Sequence, residues 1–198
     1  MKKLLGMMLA IALCVTCAEG LAATGWTVPN NQGSGSGSGY GSYSYTTTAK
    51  LVEDLATRTG PSTAYTGAGS YKMKGQTVTV LTRAYDNGGV MWVEIEFTYG
   101  GGYRRAWTGA KRLNLSSSQL KNLPEEDFST YIGYGTMNTR TSPRFGPGSI
   151  FATYGDRDLY RGDRVVVIAE IDGYYKVECY YQNEIFRSYV PAGNVNLD

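Results

Sequence analysis

The chain has 198 residues, among them 26 glycines and 17 tyrosines, and a formal net charge of +2. It contains no histidine, which excludes Ser-His-Asp triads, Cys-His dyads and zinc sites that use His. The nearly balanced charge disfavours nucleic-acid binding, which usually requires a concentrated basic surface. Abundant Tyr, Gly, Val and Thr favour strands and tight turns, so the composition predicts an all-β fold.

The N-terminus resembles an export signal. Lys2 and Lys3 precede an apolar run over residues 4–15, and small residues follow up to Ala23, a pattern typical of a signal peptide over residues 1–23. The run is shorter than the roughly 20 residues that a membrane-spanning helix needs. We therefore expect a secreted or cell-envelope protein with no stable membrane span after cleavage. Two of the three cysteines belong to this segment, so Cys179 would be the one that remains.

Residues 24–48 are rich in Gly, Ser and Tyr and include a Gly-Ser repeat at 33–39. Such a composition supplies too few apolar side chains for a core and is typical of a flexible linker. We expect this segment to be disordered.

The remainder repeats itself. Thr57-Arg58-Thr59-Gly60-Pro61 matches Thr139-Arg140-Thr141-Ser142-Pro143, and Lys74-Gly75 matches Arg161-Gly162, which implies about five extra residues in the second copy. The segment from Trp92 to Phe97 then matches that from Tyr174 to Cys179. These matches predict a first domain over 49–115, a connector over 116–135 with a short helical turn, and a second domain over 136–198. Along each copy apolar and polar residues alternate as in the strands of a small closed or partly closed β-sheet.

The first copy resembles the bacterial SH3-like (SH3b) domain. The resemblance is carried by Arg58-Thr59-Gly60-Pro61-Ser62-Thr63-Ala64-Tyr65, by the Lys74-Gly75 turn and by the strand that starts at Trp92. The second copy diverges at Arg144-Phe145-Gly146-Pro147-Gly148 and has Tyr where the first has strand tryptophans. The resemblance implies two tandem small SH3-like β-barrels of five strands each. Such domains occur in exported bacterial proteins, and some of them bind peptidoglycan.

Strand alternation identifies candidate binding residues. Val93, Ile95 and Phe97 share one face of a strand, which leaves Trp92 and Glu94 on the other. We expect that second face to be at least partly exposed, and the second copy repeats the arrangement. The predicted ligand-binding residues are Tyr65, Trp92, Arg105, Trp107, Tyr174, Arg187 and Tyr189.

Aromatic rings on such a face can stack on sugars or peptides, and an arginine can bind a carboxylate through two hydrogen bonds. The alternative is that these rings close the barrels and lie half-buried. Glu94 and Glu96 have a spacing that some glycosidases use, but an open strand surface offers little burial to raise a carboxyl pKa. Cys179 lies on the apolar face, where a free cysteine acts as a small hydrophobic residue, and Arg58 is expected to fix its loop.

These patterns predict a non-catalytic module of the cell envelope, not an enzyme, that recognises peptidoglycan glycan or peptide through aromatic surface grooves. No catalytic residues, no cofactor and no metal site are expected, and nucleic acid is not an expected partner. One alternative is a protein-interaction or assembly module whose partner is an envelope protein. Another is an accessory subunit of a separate cell-wall hydrolase.

Overall fold

A computed structural model describes residues 43–126, 131–181 and 184–198. The predicted signal peptide and residues 24–42 of the predicted linker lie outside these residues. The linker prediction was wrong at its end, where Thr47 and Thr48 belong to the first strand. The described chain is mostly β, which confirms the all-β prediction at this level. Its helix and strands are β1 (Thr47–Lys50), β2 (Leu55–Arg58), β3 (Gly67–Tyr71), β4 (Thr77–Tyr85), β5 (Met91–Tyr99), β6 (Gly102–Gly109), α1 (Ser117–Asn122), β7 (Gly133–Met137), β8 (Arg164–Ile171), β9 (Tyr174–Tyr181), β10 (Glu184–Pro191) and β11 (Val195–Leu197).

The strands form two antiparallel sheets. The first has the order β1-β4-β5-β6-β2-β3 and the second the order β10-β9-β8-β7-β11. Within the described residues neither sheet closes on itself through a continuous set of strand pairs. Helix α1 follows the first sheet and begins at a capping box, in which Ser116 and Gln119 bond each other's backbone N–H groups; this is the helical turn predicted for the connector. No helix in the described part of the chain is long and apolar enough to cross a membrane.

The apolar faces predicted by alternation are confirmed. Val93 and Ile95 are fully buried in β5, and Val177 is fully buried at the position in β9 that matches Ile95. Cys179 is also buried, and this burial raises the pKa of its thiol to about 12. Residues of both sheets belong to one continuous apolar cluster. The two copies of the repeat therefore share a core.

The structure corrects the register of the repeat. Arg58 pairs with Trp107, and Arg144 pairs with Tyr189, so the equivalent of Arg58 is Arg144, 86 positions later, and not Arg140. The hydrogen bonds agree, because Arg58 Nη1 donates to Tyr65 O (3.1 Å) and Arg144 Nη1 donates to Phe151 O (2.7 Å).

The apparent match at 139–143 was therefore wrong, and the segment that seemed divergent is the true second Gly-Pro loop. Arg140 instead forms an exposed ion pair with Asp158. With Arg144 as the equivalent of Arg58, the second copy has gained one residue before the Arg161-Gly162 turn, not five. That turn matches Lys74-Gly75, and both glycines have positive φ, 83° for Gly75 and 97° for Gly162, as such turns require.

Reciprocal contacts join the two halves. The Thr66 N–H donates to Ile185 O (2.9 Å), and the Ala152 N–H donates to Tyr103 O (3.0 Å). Thr66 and Ala152 are equivalent in the corrected register, as are Tyr103 and Ile185. Each half thus extends its Gly-Pro loop to the same strand of the other half, and the halves are related by an approximate twofold axis.

Candidate functional site

The predicted binding residues lie mainly in the interior. Trp107, Arg105, Arg187 and Tyr189 are between 1% and 4% exposed, and Trp92 is 9% exposed, whereas Tyr65 and Tyr174 are partly exposed. The prediction that these residues are at least partly exposed was wrong except for Tyr65 and Tyr174, and the alternative, in which the rings are packed, agrees better with the structure. The charged face of β5 and β6 packs against the equivalent face of β9 and β10, so the faces cover each other.

Trp92 and Trp107 form a small separate cluster with Ala84. The Trp92 Nε1–H donates to Asp86 Oδ2 (3.0 Å) in the β4–β5 turn, and this hydrogen bond lowers the pKa of the Asp86 carboxyl. Trp107 lies deeper, and Lys176 Nζ is 5.5 Å from the centre of its ring. Both tryptophans therefore serve packing and turn geometry in this structure.

A buried ion network lies between the sheets. Lys176 Nζ donates to Glu126 Oε2 (2.8 Å) and to Glu94 Oε2 (3.3 Å). Glu94 also accepts hydrogen bonds from the hydroxyls of Tyr43 (3.0 Å) and Tyr189 (3.3 Å). Glu94 and Lys176 are equivalent positions of the two copies, 82 residues apart, so the approximate axis brings opposite charges together.

A second layer of ion pairs follows the same symmetry. Arg105 Nε donates to Glu96 Oε2 (2.8 Å), and Arg187 Nη2 donates to Glu178 Oε2 (2.9 Å). These are equivalent pairs. Arg187 Nη1 also donates to Glu126 Oε1 (2.8 Å), so Glu126 from the connector binds cations from two strands of the second sheet.

Glu126 and Lys176 hold their charges near neutral pH. Burial raises the pKa of the Glu126 carboxyl, but the charges of Lys176 and Arg187 outweigh this effect and hold the pKa below its ordinary value. Burial lowers the pKa of Lys176, and the charges of Glu126 and Glu94 reverse this shift, so that the pKa lies above its ordinary value. Ionisable side chains whose pKa values are shifted further from neutral pH are better suited to a structural role than to proton transfer.

A groove of about 330 Å³ opens on another side of the contact between the halves. Its lining is Gly67, Ala68, Gly69 and Arg104 from the first half, and Phe145, Thr153, Tyr154, Gly155, Asp156 and Arg157 from the second. None of these residues was predicted as a site residue. The groove exists only where the two halves meet.

Strand alternation places Arg104 in this groove. It neighbours Arg105 in β6 and therefore points to the opposite face, where its register partner is the buried Phe97. Its guanidinium carbon is 4.6 Å from the centre of the Phe145 ring, which stacks on Tyr154 at 3.8 Å between ring centres. An arginine on the apolar face of a strand was the one signal in the sequence that could have identified this site.

Arg157 also lines the groove. Its Nη2 donates to Gly67 O (3.3 Å), and its guanidinium carbon is 5.4 Å from the centre of the Phe186 ring. Asp156 is the acidic residue of the lining, and its side chain is 86% exposed, with Oδ1 3.9 Å from Arg157 Nε. The groove thus combines two cations and one solvated carboxylate with two stacked aromatic rings that are themselves largely buried.

No group of three or more Cys, Asp and Glu side chains within the described ranges is arranged to hold a metal ion. No family model matches this chain, and no curated protein or solved structure matches it at a significant level. What the chain binds must therefore be argued from its own residues.

Proposed function

We propose that this chain is an exported, non-catalytic module of the cell envelope that recognises peptidoglycan, and that its binding site is the groove between the two halves. The observation that carries the proposal is the groove itself, an open site of about 330 Å³ that both halves line and that includes two arginines and two aromatic residues. A cleft lined by aromatic rings and a few polar groups is the usual form of a small-ligand site.

Three features support this proposal. The N-terminal segment has the pattern of an export signal, and the first copy resembles SH3b domains, some of which bind peptidoglycan. We infer that each sheet is a partly open SH3-like barrel. The carboxylates of the interior network are bound by cations or tyrosines, so none is free to serve as a general acid or base.

Binding to purified, protein-free peptidoglycan tests the proposal. We expect the full chain to sediment with the polymer and the Gly67→Phe variant to be retained much less, because the new ring would occupy the groove. A Cβ at Gly67 meets no atom within 4 Å, so the substitution should not disturb the fold. Gly133→Phe is the matched control, since a Cβ there is equally free and the position is not part of the groove.

Failure of the unmodified chain to sediment would defeat the proposal. Equal retention of the unmodified chain and Gly67→Phe would exclude the groove as the binding site.

A second candidate is a protein-interaction or assembly module. It is favoured by a group of exposed apolar side chains in β7 and just before it, consisting of Tyr131, Ile132 and Tyr134. The rings of Tyr131 and Tyr134 are 5.6 Å apart. Crosslinking in the native envelope, followed by identification of the crosslinked protein, would distinguish a protein partner from the polymer.

A further inference from the structure

We propose that the groove binds a carboxylate carried by a peptide, with Arg104 and Arg157 as the anion-binding residues. This inference rests on the proposed function and specifies the chemical class that the site would recognise. Two arginines line one groove, and Asp156, the acidic residue of the lining, is largely solvated. Arginine binds a planar carboxylate through two parallel hydrogen bonds.

Arg104 is partly buried and differs from the two fully buried arginines, Arg105 and Arg187. Arg105 and Arg187 each bind a glutamate, whereas Arg104 forms no ion pair with any described residue. Its Nε is buried and has no hydrogen-bond partner in the described part of the chain. A cation placed in a partly buried site without a counter-charge is unfavourable, and an anion in the groove would compensate it.

Arg157 is also incompletely bonded. One terminal nitrogen donates to Gly67 O, while the other, Nη1, is buried and has no partner among the described residues. The nearby Asp156 carboxylate is 3.9 Å from Nε and largely in water, so this ion pair is weak. Arg157 can therefore accept a further anion.

The repeat does not account for either arginine. Phe186 occupies the position equivalent to Arg104, 82 residues later, and Arg157 lies in the segment that contains the one extra residue of the second copy. The packing common to both halves thus needs neither cation. Each instead covers a ring, Arg104 that of Phe145 and Arg157 that of Phe186, so both charges are held at the wall of one groove.

The groove also has room for more than an isolated ion. Gly67 and Gly155 line the groove without side chains, and a Cβ on either would meet no atom within 4 Å, so the space beside them is open. The stacked rings of Phe145 and Tyr154 belong to the lining but are only 4% and 8% exposed, so the apolar surface that they offer is small. A carboxylate attached to small apolar groups, as at the end of a short peptide, would use both features.

Titration of the ¹⁵N-labelled full chain with acetyl-alanyl-alanine tests this inference by NMR. We expect saturable shifts of the amides of Gly67, Gly69 and Gly155. The C-terminal amide of the same peptide should bind about tenfold more weakly or worse, because a hydrogen bond to a charged group is worth at least that factor. Equal binding of acid and amide would overturn the proposal, as would inorganic phosphate binding more tightly than the peptide acid.

Three variants connect the effect to the two arginines. Arg104→Gln and Arg157→Gln should each weaken binding of the acid about tenfold or more, and Arg104→Lys should lose much of it, because lysine keeps the charge without the planar fork. Arg161→Gln, at an exposed turn position, is the matched control and should bind like the unmodified chain. If Arg104→Gln does not fold, the test uses Arg104→Lys instead. Unchanged binding of the peptide acid by Arg104→Lys would overturn the role of Arg104.

The sedimentation experiment separates the two proposals. Retention on peptidoglycan without peptide-acid binding would overturn this inference and leave the proposed function in place. Peptide-acid binding without retention on peptidoglycan would support the inference and defeat the proposed function.

Discussion

The buried charges between the sheets are a residue-scale feature with an energetic consequence. Removing one partner of a buried ion pair is typically far more costly than removing an exposed one. Glu126 is a sensitive position, because it binds both Lys176 and Arg187. It also belongs to the connector and not to either sheet, so it attaches that segment to the second sheet.

We predict that Glu126 makes stability depend on pH. Its pKa is lower in the folded chain than the ordinary value of about 4.5, so its contribution is present above that pH and is lost as the pH falls through the folded value. At pH 7, Glu126→Gln should lower the free energy of unfolding by about 3–5 kcal/mol. Urea unfolding of both chains between pH 7 and pH 3 should show this difference shrinking below about pH 4.5.

Glu170→Gln is the control for this measurement, since Glu170 is exposed. It should change the free energy of unfolding by less than about 0.5 kcal/mol. A difference between the unmodified chain and Glu126→Gln that stays constant across the pH range would contradict the assigned role of Glu126.

At the scale of elements, the sequence predicted one face of each strand and not the other. Alternation identifies Val93, Ile95 and Phe97 as a buried set because side chains on one side of a strand share an environment. It carries no information about what covers the opposite side. Glu94 is charged, yet it is buried by Lys176, a residue 82 positions away, and only the packing of the two sheets reveals this contact.

The repeat shows a related limit of sequence comparison. Five residues at 57–61 resemble five at 139–143, but the hydrogen-bond register selects the Gly-Pro loop at 146–147. Residue identity alone cannot distinguish a coincidental match from the truly equivalent position when the two candidate positions lie only four residues apart along the chain. The strands from Trp92 and Tyr174 onward offer one alignment of the two copies, with an offset of 82 residues. The strand pairing in the structure agrees with that alignment.

The Gly-Pro loops make a prediction about stability. A Cβ at Gly60 would overlap the ring of Tyr65, and a Cβ at Gly146 would overlap the ring of Phe151. These rings lie 5.2 Å from Arg187 and 5.1 Å from Arg105 of the opposite half, measured from the guanidinium carbon to the ring centre. Gly60→Ala and Gly146→Ala should therefore each lower the free energy of unfolding by about 1–3 kcal/mol.

Thermal or urea unfolding measures this effect, with Gly133→Ala as the control because a Cβ there has free space. The control should stay within about 0.5 kcal/mol of the unmodified chain. Loop variants as stable as the control would mean that the rings can move aside without loss.

At the scale of the whole molecule, the chain is two similar halves that cover each other. An exact duplicate would place two identical residues at the positions of Glu94 and Lys176, and two equal charges there would repel each other. The difference between the copies at this point converts that repulsion into an ion pair. The halves are therefore complementary, although their strands share one pattern.

This complementarity predicts the result of a charge exchange. Lys176→Glu creates a pair of buried carboxylates with Glu94 and also faces Glu126, so we expect a loss of several kcal/mol in the free energy of unfolding. The double variant Glu94→Lys/Lys176→Glu restores opposite charges across the axis. It should recover part of the loss and not all of it, because Glu126 would still face a glutamate at position 176.

A double-mutant cycle by urea denaturation gives the coupling between the two positions. A coupling near zero would show that the pair does not join the halves, and full recovery would show that Glu126 is not bound to position 176 as the structure has it. Because both halves share one core, each variant should unfold in a single transition whether fluorescence or circular dichroism is followed. Two separate transitions would mean that the sheets fold independently, and the groove between them would then depend on how they associate.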